Sequence, residues 1–372
     1  MTAVVLAGDF PSTGILRASV AQRIALDGAG GDTAPAFIDH MARALQTRGA
    51  VLVVYPEWKG KGTRRLVQLA RAALLTDRIA GVALDLPPIA LSLVADQLTF
   101  ASSYARPGVL VGLAHRLRET LYAGAWVNSV ARLEHIKTGL GAHVSSYLPG
   151  GAFAVTAGCQ AGVHRITAAK PVPDLGARPG DPVLMLFGGT NGDTEWLQQK
   201  LRPAVAAVSA TLVAPQPLGA EYWGTKKYVE FVAFSGHPQA LQSLLSDFVY
   251  RPCGWCGEPT ALPHCPLCQM TQPAPPPSPE AVQDQPADVP AVEADVPVAG
   301  ADVPVAGADV PVAGAGADRT PTAEADEIAV LLQPAPRRPA AADPRLIPAP
   351  RATSGDEWPR AGTVAFGPRD RP

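Results

Sequence analysis

The 372-residue chain has no apolar run of 18 residues, so no transmembrane helix is expected. It also lacks GxSxG, HExxH and GxGxxG, which removes sequence support for nucleophile-elbow hydrolases, zinc proteases and dinucleotide-binding sheets. Lysine is scarce, seven in all, and the cations are scattered, which speaks against nucleic acid as a partner. Cysteine is scarce too. Of five cysteines, four fall within 16 residues and Cys159 stands alone. That is not the pattern of a secreted disulfide scaffold, and it places the protein in a reducing cytoplasm. Residues 1–9 have no basic n-region and read as a first strand, not a signal peptide.

Proline and charge are abundant but unevenly spread. Residues 1–252 hold 16 prolines and a formal charge of +6, whereas residues 269–372 hold 20 prolines and −7. One packed core over the whole chain is excluded, and 269–372 reads as a disordered Pro/Ala-rich tail. Three copies of ADVPVAG occupy 294–300, 301–307 and 308–314. The proline in each copy rules out a coiled coil despite the seven-residue period. Residues 326–333 (DEIAVLLQ) form the one apolar cluster of the tail, a candidate for docking in a partner groove.

The body alternates short apolar runs with amphipathic stretches. Strands are predicted at 3–7, 51–55, 79–84, 109–113, 183–187, 211–214 and 229–234. Helices are predicted at 63–76, 89–104, 115–136, 193–207 (with Asp193 or Thr194 as cap) and 238–248. Unbroken apolar strands between helices predict an α/β fold with a mostly parallel wound sheet covered on both faces. Residues 170–182 carry four prolines and read as a linker. They separate an α/β lobe at 1–169 from a smaller β-α-β-β-α lobe at 183–252.

The strongest chemical signal is the run C-x2-C-x8-C-x2-C at Cys253, Cys256, Cys265 and Cys268. Two CxxC turns offer four thiolates at the spacing of a tetrahedral zinc site, and four sulfurs leave no open position for catalysis. The run resembles the short zinc-ribbon modules of bacterial proteins, in which two cysteine knuckles face each other. The second knuckle departs from them, with Gln269 where a glycine is usual. The resemblance implies a structural zinc at 253–268, a segment too short for a core of its own. Loss of one ligand is then expected to loosen 253–268 and leave the body folded. No Lys or Arg lies between Cys253 and Cys268, so a protein partner, met by Trp255 and Leu267, is favoured over nucleic acid.

Site signals in the body are weaker. Wound α/β sheets bind ligands beyond the carboxyl ends of their strands. Asp9, Glu57, Asp85 and His115 each follow a predicted strand. Together they would supply oxygen ligands for Mg²⁺ and an acid/base group. Gly60-Lys61-Gly62-Thr63 looks like the end of the Walker A loop of adenylate-kinase-like enzymes. By that resemblance Lys61 would reach phosphate and Thr63 would bind Mg²⁺. A second anion-loop candidate is GGTNGD at 188–193, with Gly189 and Gly192.

Two functions follow as expectations. One is a cytoplasmic adaptor or regulatory protein, meeting a protein partner through ribbon or tail. The alternative is an enzyme handling a nucleotide or small phosphate ligand at the strand ends. Convergence of Asp9, Glu57, Asp85 and His115 on one crevice separates the two.

Overall fold

The computed structural model describes residues 1–16, 18–26, 33–141, 146 and 151–273. The tail repeats, the 326–333 cluster and all else beyond residue 273 lie outside the described residues.

The first sheet is all parallel. Its strands are β1 (Thr2–Ala7), β2 (Gln22–Ile24), β3 (Ala50–Pro56) and β4 (Ile79–Leu84), in the order β2-β1-β3-β4. Every residue of β1 and β3 is buried. These are the inner strands of a sheet covered on both sides, which is why they read as continuous apolar runs. Alternate residues serve opposite faces. Val5, Val51 and Val53 pack with Phe37 and Met41 of α1 (Thr33–Arg48) and Val67 of α2 (Gly60–Ala73). Val4, Leu6, Leu52 and Val54 pack instead on α3 (Pro88–Ala101) and α4 (Pro107–Thr120).

The second sheet has six strands in the order β7-β6-β5-β10-β8-β9. They are β5 (Tyr122–Val127), β6 (Phe153–Ala157), β7 (Gly162–Arg165), β8 (Val183–Thr190), β9 (Ala207–Leu212) and β10 (Tyr228–Ser235). Only the β8–β9 pair is parallel. Leu186, Val232 and Phe234 of this sheet join the same buried cluster as α3 and α4. Helix α3 therefore lies between the two sheets, and twelve of its fourteen residues are buried.

The α/β class stands, with one parallel and one mixed sheet. Four expectations are corrected. Residues 109–113 (VLVGL) lie inside α4, since a helix buried on most sides carries as apolar a run as a buried strand. The helix expected through residue 136 ends at Thr120, and β5 follows directly. Residues 170–182 connect β7 to β8, which belong to one and the same sheet, so this proline-rich segment does not divide one sheet from another. Over 183–248 a short helix at Gly219–Tyr222 stands between β9 and β10, so the order is β-α-β-α-β-α and not β-α-β-β-α; Asp193 caps the first helix, its Oδ1 accepting from Trp196 N at 2.8 Å.

Candidate functional site

The carboxyl edge of the parallel sheet does not assemble the expected acids into a metal site. Asp9 and Glu57 are exposed just past β1 and β3. Asp85 follows β4 and faces Arg118 of α4, 3.5 Å away. His115 sits exposed on α4, because the segment read as its strand is helical. Among the described residues, the four cysteines alone bring three or more ligand atoms together. The Mg²⁺ expectation therefore finds no cluster.

The phosphate loops are corrected as well. A phosphate cradle needs an open loop between strand and helix. Here β3 runs to Pro56, one 3₁₀ turn (Glu57–Lys59) follows, and α2 starts at Gly60. Lys61 is exposed within the first turn of α2, and Thr63 is buried. Gly188 and Gly189 belong to β8 itself. A Cβ at Gly189 would strike the Tyr228 carbonyl, and one at Gly192 would come within 2.5 Å of the Tyr228 carbonyl carbon. These glycines let β10 approach β8 and the turn that follows it.

A cleft opens where the end of β3 meets segments flanking the second sheet. Its volume is about 830 Å³, within the usual range for a small-ligand site. Trp58 and Lys59 come from the 3₁₀ turn; Ala131, Arg132, Glu134 and His135 follow β5; Ala220, Glu221 and Lys226 precede β10. Trp58 lies 5.1 Å from the His135 ring and 5.5 Å from Tyr222, and His135 stacks on Tyr222 at 5.3 Å. The rim carries Lys59, Arg132 and Lys226 against Glu134 and Glu221, with Lys59 and Glu221 paired at 2.9 Å.

Behind this aromatic wall lies a group of buried polar atoms. Trp58 Nε1 and the Tyr222 hydroxyl are buried without a hydrogen-bond partner among the described residues, and the Trp223 indole lies beside the Glu230 carboxyl. Glu230 sits in the middle of β10 and is fully buried. Its Oε1 accepts from Ile89 N, in the first turn of α3, at 2.6 Å. Burial pushes the Glu230 carboxyl up to about 8, opposed by the Ile89 N–H and by the Trp223 indole beside it. Burial, with the charges of Asp85 and Glu230, also pushes the Tyr222 hydroxyl up. Buried polar groups in folded proteins are as a rule hydrogen-bonded, to protein or to water.

Trp58, His135, Tyr222 and Glu230 were missed in the sequence. The signals there were a lone carboxylate inside the apolar strand YVEFVAF and an aromatic pair, Tyr222-Trp223, just ahead of Lys226-Lys227.

The second site is the cysteine cluster. All four Sγ atoms lie within 4.8 Å of one another. Cys253 and Cys268 are 3.5 Å apart, Cys256 and Cys265 3.6 Å. A tetrahedron with metal–sulfur bonds of about 2.3 Å has edges of about 3.8 Å. The two knuckles repeat one design. Gly257 N donates to Cys253 O and Gln269 N to Cys265 O, each at 2.9 Å. Gly257 has φ +70° and Gln269 φ +65°. Gln269 thus takes the left-handed conformation that glycine provides in the first knuckle. The Cys256 N–H holds the Cys253 thiol below its usual range, while burial pushes Cys265 up. The geometry is that of a four-cysteine cluster able to hold one metal ion.

The expected contacts of this ribbon divide. Trp255 is 77% exposed, but Leu267 is buried in the core shared with α3 and α4.

No protein-family model matches the sequence, and no curated protein matches it. Among solved structures, the chain is similar to a DegV family protein from Corynebacterium glutamicum (15% identity, TM-score 0.47, 63% of this chain and 97% of that one). It is similar also to a fatty-acid-binding DegV family protein from Thermus thermophilus (14%, 0.46, 63% and 99%). A third is the fatty acid kinase B3 protein of Streptococcus pneumoniae, loaded with linoleic acid (12%, 0.41, 63% and 99%). The adaptor function with its protein partner, and the phosphate-handling alternative, are both corrected. Leu267 is spent inside the chain's own core, and β3 leads through one 3₁₀ turn straight into α2. No helix among the described residues is long and apolar enough to cross a membrane.

Proposed function

We propose that the chain is a small-ligand-binding protein whose cleft takes an amphipathic carboxylic acid of fatty-acid type. The observation that carries this reading is the cleft itself, with an aromatic wall of Trp58 and His135 backed by Tyr222 and a rim holding Lys59, Arg132 and Lys226. The wall gives apolar contact for an acyl chain, and the rim gives positive charge for a carboxylate. Fatty acids are the first probes because the solved neighbours with named ligands hold them. Delipidated chain titrated with oleate should quench Trp58 fluorescence to saturation at one equivalent. Trp58→Ala should weaken binding about 10-fold or more, the weight of one buried aromatic contact. Glucose 6-phosphate with Mg²⁺ should give no signal. Saturable binding of the sugar phosphate with none of oleate would overturn the reading.

The four cysteines support a structural zinc as the metal of the ribbon. Zinc favours a closed four-thiolate site, and the sulfur spacing is close to that of such a site. Metal analysis of the purified full chain should find about one zinc per chain.

A further inference from the structure

The ribbon closes onto the body through one side chain. Glu258 lies two residues after Cys256 and is 2% exposed. Its Oε1 accepts from Gly108 N at 2.9 Å, and its Oε2 from Arg106 Nη2 at 3.0 Å. Arg106 and Gly108 flank the start of α4, where the N-cap residue supplies no side-chain hydrogen bond. A carboxylate from the ribbon thus satisfies an amide that the helix leaves unpaired.

The first knuckle fixes the place of that carboxylate. Cys253 N donates to Glu258 O at 2.9 Å, so the backbone of Glu258 is tied to the turn that carries two of the sulfurs. The approach is close, since a Cβ at Gly108 would strike the Pro259 carbonyl. Cys253, Cys265 and Leu267 share one buried cluster with Leu110, Leu113 and Leu117 of α4. At the far end of α4, Arg118 faces Asp85, just past β4, at 3.5 Å.

We infer that the ribbon metal is an integral fastener of the ligand-binding body, with Glu258 as the positioning residue that links metal occupancy to the start of α4. The inference rests on reading the four cysteines as a zinc site. A ribbon of 16 residues has no core of its own to set its two knuckles against each other once the metal is gone. Releasing the first knuckle then frees Glu258, and α4 loses its cap. This reverses the expectation that ribbon and body are separable.

The test is amide hydrogen exchange on the full chain, with zinc content measured on the same samples. Zinc-loaded wild type should protect residues 107–120. Chelation should speed exchange at the start of α4 about tenfold, the weight of one charge-assisted hydrogen bond. Glu258→Ala should still bind about one zinc per chain, yet exchange like the chelated wild type and respond little to chelation. Glu258→Gln keeps an acceptor of the same shape and should fall between. If Glu258→Ala does not fold, the wild-type chelation arm and the Gln variant decide. One zinc per chain with no effect of chelation on 107–120 overturns the fastener and leaves the zinc reading intact. A chain that takes up no zinc overturns both, and the metal content separates the two failures.

Discussion

The ribbon and the cleft are built by opposite uses of the chain. The ribbon draws its four ligands from 16 consecutive residues, and each knuckle is closed by its own local hydrogen bonds. The cleft draws on the turn after β3, the segment after β5 and the segment before β10, which only the completed fold brings together. A local site declares its chemistry in spacing. A non-local site declares it in the burial of polar groups such as Trp58 Nε1 and the Glu230 carboxyl. Glu258 joins the two regimes, being local to the ribbon yet bonded to α4 far back in the chain.

The largest effect that sharpens this comparison is loss of a ribbon ligand. Cys265→Ser should abolish zinc uptake and lower the stability of the whole body, on the order of several kcal/mol in urea unfolding. Unchanged body stability would make the ribbon a mere appendage and break the comparison.

Next comes Glu230, the buried carboxyl behind the cleft. Its folded value of about 8 stands above its ordinary 4.5, so the folded state binds the extra proton. Its contribution is full below about pH 4.5 and is lost as pH rises through about 8. Stability measured against pH should fall across that window by a few kcal/mol. Glu230→Gln should flatten this part of the profile and be the more stable chain at the alkaline end. A variant profile parallel to wild type would show that Glu230 is not the buried group described.

A smaller effect belongs to the second sheet. Gly189→Ala sets a methyl group against the Tyr228 carbonyl and should cost about 2 kcal/mol by urea unfolding, with zinc content unchanged. No loss of stability would reopen the question of why glycine stands there. The smallest effect is at the cleft rim. Lys226→Glu should weaken oleate binding about fivefold without moving the melting temperature, since one exposed charge is worth at most about 1 kcal/mol. Equal affinity would place the carboxylate away from this rim.

The sequence was legible where structure is local. The strands at 3–7, 51–55 and 79–84 and the helix after Pro87-Pro88 were readable because the strands of a covered parallel sheet and their helices bear continuous or periodic apolar patterns. The cysteine cluster was readable because its spacing is its geometry. Residues 109–113 were misread because the first half of α4 is buried and the helix takes its cap from Glu258, which no neighbouring residue announces. The mixed order of the second sheet was hidden because β5 pairs with β10, a partner about a hundred residues further on. The strand-end acids were misread because residues that cap or turn occupy those same places, and Asp85 is taken by Arg118. Lys61 drew attention by its motif, whereas its neighbour Lys59 is the lysine that lines the cleft.

The most direct measurement is solvent extraction of the purified full chain, followed by mass spectrometry of the extract and of the intact chain before and after delipidation. The account predicts recovery of long-chain carboxylic acids at about one per chain, lost on delipidation and restored by added oleate. A chain that carries no acyl ligand and takes up none when oleate is added would contradict it.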